Sequence, residues 1–184
     1  MSAMAGGYGT KYIACGWDIG RATPEQILAR AAQFDELPID GISMGVRARQ
    51  GGAILDSGYV WNDPAWSYGT FAKDVETFRK IVAHKSLKES FLGCGMSARP
   101  TTREGYAALG GKNPRVSFED DAAWARIANN YGVLAKIAKE GGLKGLLIDN
   151  EDYCGGKQFE LRDGDGTWEA ANEKMRARGR QVFK

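Results

Sequence analysis

The chain is 184 residues long, enough for one domain with a proper core and short for two. Hydrophobic residues at 43% and charged residues at 26% make an ordinary globular mixture, which excludes a disordered polymer. Lys and Arg number 25 against 23 Asp and Glu, so the net charge of +2 gives no electrostatic case for nucleic acid, and no stretch approaches the roughly 18 apolar residues of a membrane span.

Residues 1–10 read as a loose tail and residues 11–184 as one domain. The tail has no basic region followed by an apolar core. Cys15, Cys94 and Cys154 form no CxxC or Cys/His cluster, so neither a disulfide framework nor a structural zinc site is expected. These features point to a cytoplasmic setting, with secretion the alternative if a leader has been removed.

In chain order, KYIACGW (11–17) is a short apolar run and reads as a first strand. A helix over 23–37 follows, with Thr23 as N-cap, Pro24 at its first position and Ile27, Ala31 and Phe34 on one face. Pro38 stops it, and 39–46 reads as a second strand. A long irregular segment rich in Gly and aromatics comes next, and helical period returns with Phe71, Val75, Phe78 and Val82. Residues 90–98 form a third strand, followed by another long loop. Ser117 is expected to cap the next helix, whose buried stripe is Trp124, Ile127, Tyr131, Leu134 and Ala138. The run GGLKGLLID is the fourth strand. The last helix carries Trp168, Ala171, Met175 and Val182 along one side, and its basic run KMRARGR suits a solvated face.

This is βα four times, without hairpin signals between strands, and implies parallel strands joined by right-handed crossovers. The fold class is therefore α/β. Long aromatic-rich loops follow strands while the returns are short, so the expected architecture is half of a (β/α)8 TIM-type barrel with its site at the strand carboxyl ends.

The fourth strand ends in Asp149, Asn150, Glu151 and Asp152. Strand alternation turns Asp149 and Glu151 to one side, with Leu146 and Ile148 under the helices. Such a pair would serve as general acid and base, bind a metal, or simply hold loop amides and an Arg. Trp17 and Asp18 end the first strand, where Trp17 is either a stacking platform for a sugar ring or a plug for the core. Tyr59, Trp61, Asn62, Asp63 and Trp66 would form an aromatic wall for a carbohydrate or a small cluster that keeps the loop folded. Arg99 either binds a carboxylate or lies on the surface. DGDG at 163–166 lacks full calcium-loop spacing and reads as a turn. His84, the sole histidine, closes the second helix, so no Ser-His-Asp or Cys-His apparatus arises. No Gly-rich run has the context of a nucleotide loop, and no cofactor is expected.

The chain resembles the first half of a bacterial glycosidase-like TIM-barrel protein. The resemblance rests on Trp17-Asp18, on LPIDGISM, on NNYGVLAKIAKEGGLKGLLIDNEDY and on the RARGR helix. In many retaining glycosidases of this type an Asn-Glu pair ends the fourth strand and its Glu is the acid/base, which Asn150-Glu151 matches. In chitinase-like barrels a D-x-E ends that strand. Asp149-x-Glu151 matches its tail, while Leu146 and Leu147 depart from the rest. Both comparisons imply Glu151. A whole barrel needs four more βα units, and in the first type the nucleophile comes from the seventh strand. The chain is thus expected to be a fragment, a partner of a missing half-barrel, or one half of a homodimer. The leading functional expectation is a glycoside-hydrolase-like domain with Glu151 as acid/base, Asp149 assisting, and Trp17, Asp18, Asn150, Trp61, Trp66 and Arg99 toward the sugar. The alternatives are a non-catalytic carbohydrate-binding half-barrel, and a metal-dependent lyase or hydrolase using Asp149, Glu151 and Asp152.

Overall fold

The computed structural model describes residues 9–20, 22–62, 64–96, 115–150 and 158–184, with the side chains of residues 17 and 18 left aside. Strand β1 (Ile13–Ala14) leads into a short helix, α1 (Trp17–Gly20). The predicted helix over 23–37 forms as two pieces, α2 (Pro24–Ala29) and α3 (Ala31–Phe34), divided at Arg30. A reciprocal capping box starts it: Thr23 Oγ1 accepts from the Gln26 amide at 3.3 Å, and Gln26 Oε1 accepts from the Thr23 amide at 2.9 Å. Strand β2 (Gly41–Met44) follows and is buried throughout, as suits a central strand of a parallel sheet.

The segment after β2 departs from expectation. It folds as an antiparallel hairpin, β3 (Arg47–Gln50) against β4 (Ala53–Asp56), where no hairpin was anticipated. Its turn is Gly51-Gly52, both at positive φ (55° and 85°), the backbone that matches the right-handed twist of the flanking strands.

Helix α4 (Ala72–Ile81) buries Val75, Phe78 and Ile81. Just beyond it, His84 Nδ1 meets Asp35 Oδ2 at 2.9 Å, and the other Asp35 oxygen accepts from the Ser86 amide at 3.0 Å. His84 thus pairs with a carboxylate as well as standing near a helix end. Strand β5 (Phe91–Gly95) precedes the long helix α5 (Asp121–Gly141). Asp120, not Ser117, is the N-cap of α5, accepting from the Ala123 amide at 2.9 Å; Ser117 caps the preceding turn, accepting from the Glu119 amide. The predicted stripe of α5 is buried as expected, and Gly142, at φ 78°, ends the helix in a left-handed cap.

Strand β6 (Leu146–Asp149) and helix α6 (Trp168–Val182) complete the described chain. Helix α6 buries Ala171, but Trp168, expected on its inner side, is 54% exposed. The basic run on α6 answers the acidic start of α5: Arg178 donates to the Phe118 carbonyl and to Asp121, and Lys174 pairs with Glu119. The turn over 163–166 is held by Asp165, which accepts from Arg115 at 2.9 Å and from the Arg162 amide at 2.7 Å.

The principal sheet has four parallel strands in the order β1-β2-β5-β6. The chain is therefore an α/β protein with a sequentially ordered parallel sheet. The sheet is open, and no closed barrel forms among the described residues. Leu92 pairs with Leu146 and Cys94 with Ile148, and these side chains, with Ile42 and Met44, pack into the core formed with α4 and α5. Gly93, Gly95, Leu147 and Asp149 alternate to the opposite face.

Candidate functional site

Because all four strands run the same way, their carboxyl ends share one edge. Asp149, the last residue of β6, is exposed there, as is Asn150 beside it. Asp149 lies in register with Gly95, and its carbonyl accepts from the Met96 amide at 3.0 Å. The main chain of Trp17 and Asp18 opens α1 three residues past β1, at the same edge. Glu151, Asp152, Arg99 and Asp63 lie outside the described residues, as do the side chains of Trp17 and Asp18.

The second loop shapes this edge in a way the sequence reading missed. Ser57 ties it back to the exit of β2, its amide donating to the Val46 carbonyl at 3.0 Å and its Oγ accepting from the Val46 amide at 3.1 Å. The 3-10 turn Ser57–Tyr59 then crosses the end of β5 so closely that a Cβ on Gly95 would lie 2.3 Å from the Gly58 carbonyl oxygen. Only glycine fits there, and it does so on the face that carries Asp149.

Trp61 and Trp66 correct the expected aromatic wall. They are 2% and 4% exposed, so neither forms a wall on the open surface of the edge. Beyond Tyr59 the loop turns inward, because apolar rings of this size gain most by burial and their polar groups find partners inside. The Trp61 indole N–H donates to Tyr131 Oη at 3.2 Å, and that hydroxyl donates to the Gly95 carbonyl at 2.8 Å. Trp61 therefore positions the end of β5 through Tyr131 on α5. Trp66 packs 5.4 Å from the Phe71 ring, and its amide donates to Asn130 Oδ1 at 2.8 Å. Tyr59 retains partial exposure.

Asn130 was not singled out from sequence, yet it holds the whole loop. It is fully buried, and its Nδ2 donates to the Val60 carbonyl at 2.9 Å and, at longer range, to those of Asn62 and Pro64. The signal was available: a carboxamide falls on the stripe Ile127, Tyr131, Leu134 of a helix read as buried there.

The electrostatics separate the edge from the core. Burial pushes the Cys94 thiol up to about 12, so it is no nucleophile, and burial also raises Tyr131 well above the usual phenol range, leaving it a neutral donor. Asp74, on α4, is raised to about 6 by burial and then by the nearby Glu25 carboxylate. Among the described residues no group of three or more His, Cys, Asp or Glu is arranged to hold a metal, and two of the three carboxylates expected in a metal site, Glu151 and Asp152, lie outside those residues.

The fold and this edge define a parallel α/β protein with an acidic strand tip. Comparison with protein-family models, curated proteins and solved structures gave no significant match to the chain.

Proposed function

We propose that the chain is a glycoside-hydrolase-like domain that acts on or binds a carbohydrate at the carboxyl edge of its parallel sheet. The observation that carries this reading is the placement of Asp149, exposed at the end of β6 on the face away from the core. Glu151 follows two residues on, and strand alternation would give it the same side. In this reading Glu151 is the acid/base, Asp149 keeps its neighbour's proton affinity high by its negative charge, and Trp17 and Asp18 contact the sugar. The sequential order β1-β2-β5-β6 is that of four consecutive strands of an eight-stranded barrel, which supports the half-barrel architecture as part of the same proposal.

The test is Glu151→Gln, assayed on a panel of oligosaccharides and aryl glycosides, with melting temperature as the control for folding. Turnover by the wild type that disappears in the variant supports the assignment. Undiminished turnover in Glu151→Gln removes Glu151 from the role.

A second reading is a carbohydrate-binding half-barrel completed by another copy. It is favoured by the strand order, in which β1 and β6 have one neighbour each among the described residues. Binding of an oligosaccharide by calorimetry, without turnover in the same panel, selects it over the first.

A further inference from the structure

A cavity of about 140 Å³ lies between α5 and α6, with Met96, the residue that follows β5, in its wall. Its walls include Trp61, Trp124, Tyr131 and Met175, and Phe159 and Phe183 stand at its rim, 42% and 51% exposed. The polar atoms these walls own are already used within the protein. The Trp61 indole donates to Tyr131, Tyr131 donates to the Gly95 carbonyl, and the Trp124 indole donates to the Ser117 carbonyl at 2.9 Å. Water inside finds few hydrogen-bond partners on these walls, and an apolar guest that displaces poorly held water gains affinity.

We infer that this cavity is a binding site for a neutral, compact molecule built on a single aromatic ring. Its size admits one ring with a small substituent. Trp61 and Trp124 meet edge to face, with centroids 5.2 Å apart and planes at 67°, so the walls offer both a ring face and a ring edge. A flat aromatic guest gains edge-to-face contacts from both, as well as dispersion from the apolar walls. A charged guest would be stripped of water with no counter-charge among the lining residues. The half-exposed Phe159 packs edge-on to Trp61 at 6.0 Å and Phe183 lies 5.2 Å from Tyr131, so the rim consists of rings already in contact with the wall. This inference is independent of the carbohydrate reading.

Two methionines make the site observable. Met96 and Met175 line the cavity, whereas Met44 is buried in the core away from it. With methyl-labelled methionine, titration of the full chain with toluene is expected to shift the Met96 and Met175 methyl signals saturably and to leave Met44 unmoved. Benzoate at the same concentration is expected to shift none of them. Gly179 lines the cavity, and a Cβ added there meets nothing within 4 Å. Gly179→Leu is expected to fill the space and weaken toluene binding at least tenfold, while Gly179→Ala keeps binding; Val182→Phe is a second filling variant from the same wall. No saturable shift up to the solubility of toluene, equal shifts at Met44, or undiminished binding in both filling variants overturns the inference.

Discussion

Asn130 accepts the main-chain N–H of Trp66 at 2.8 Å, joining the middle of α5 to a loop 64 residues earlier. The carboxamide is fully buried and uses both ends, so its loss strands a donor at Trp66 and an acceptor at Val60. Each unsatisfied buried group costs about 1–3 kcal/mol. Asn130→Ala is therefore expected to destabilise the chain by about 3 kcal/mol, read as a fall in the urea midpoint at unchanged slope. A loss under about 0.5 kcal/mol, the range of an ordinary surface substitution, would show that the loop does not depend on this residue.

Gly95 tests how the same loop meets the sheet. The Gly58 carbonyl leaves no room for a Cβ at Gly95, and the nearest atom is backbone, so Gly95→Ala must displace the turn Ser57–Tyr59. Overpacking of this kind costs about 1–3 kcal/mol. Gly95 pairs with Asp149, so the displacement also reaches the proposed sugar edge. The expected outcome is a lower melting temperature together with weaker oligosaccharide binding. Gly132, on α5 and with open space around its Cβ position, supplies the control: Gly132→Ala should leave both unharmed.

Asp74 gives a pH dependence of defined sign. Its folded value, about 6, lies above the ordinary value of 3.8, so the folded state binds that proton more tightly than the unfolded chain does. Stability from this group is complete below about pH 4 and is lost as the pH rises through 6. Discounted for the partial exposure of Asp74, the penalty at pH 7.5 is about 1–2 kcal/mol. Asp74→Asn should therefore stabilise the protein at pH 7.5 by about that amount, with the gain shrinking toward zero near pH 4. Equal gains at both pH values would remove the ionisation from the explanation. Asp35, Asp40 and Asp165 are held low by amide, His, Lys or Arg partners and act in the opposite direction. The difference between variant and wild type isolates Asp74 from them.

Much of the fold was legible in the residues. Pro24 after Thr23, the stripe of α5 and the aliphatic runs of β2, β5 and β6 each report a local preference that packing also favours. The hairpin was missed although Gly51-Gly52 marks its turn, because β3 reads Arg-Ala-Arg-Gln, a partly exposed strand with little apolar signal. The aromatic loop is open to two readings from its residues, a sugar wall or a cluster that keeps the loop folded, and burial selects the cluster. Trp61 and Trp66 are equally suited to a sugar face and to a core, and what decides between them is Asn130 and Tyr131, some 64 to 70 residues away in sequence. Asp149 ends β6 in register with Gly95, where alternation with the core-packed Leu146 and Ile148 gives it the other side.

Leu147 provides the last test, that of a partner for the sheet. It sits on β6, which has one neighbour among the described residues, half-buried on the face away from the core and beside Gly93 in register. If a second copy completes the sheet, this face meets its counterpart, and the chain is expected to sediment with twice its own mass at micromolar concentration. Leu147→Lys places a charge in that contact without touching the core packing of Leu146 and Ile148. The variant should then sediment as a single chain with an unchanged far-ultraviolet spectrum. A wild type that stays single at the highest soluble concentration, or a variant that still pairs, argues against a second copy on this face and leaves the acidic edge to act within one chain.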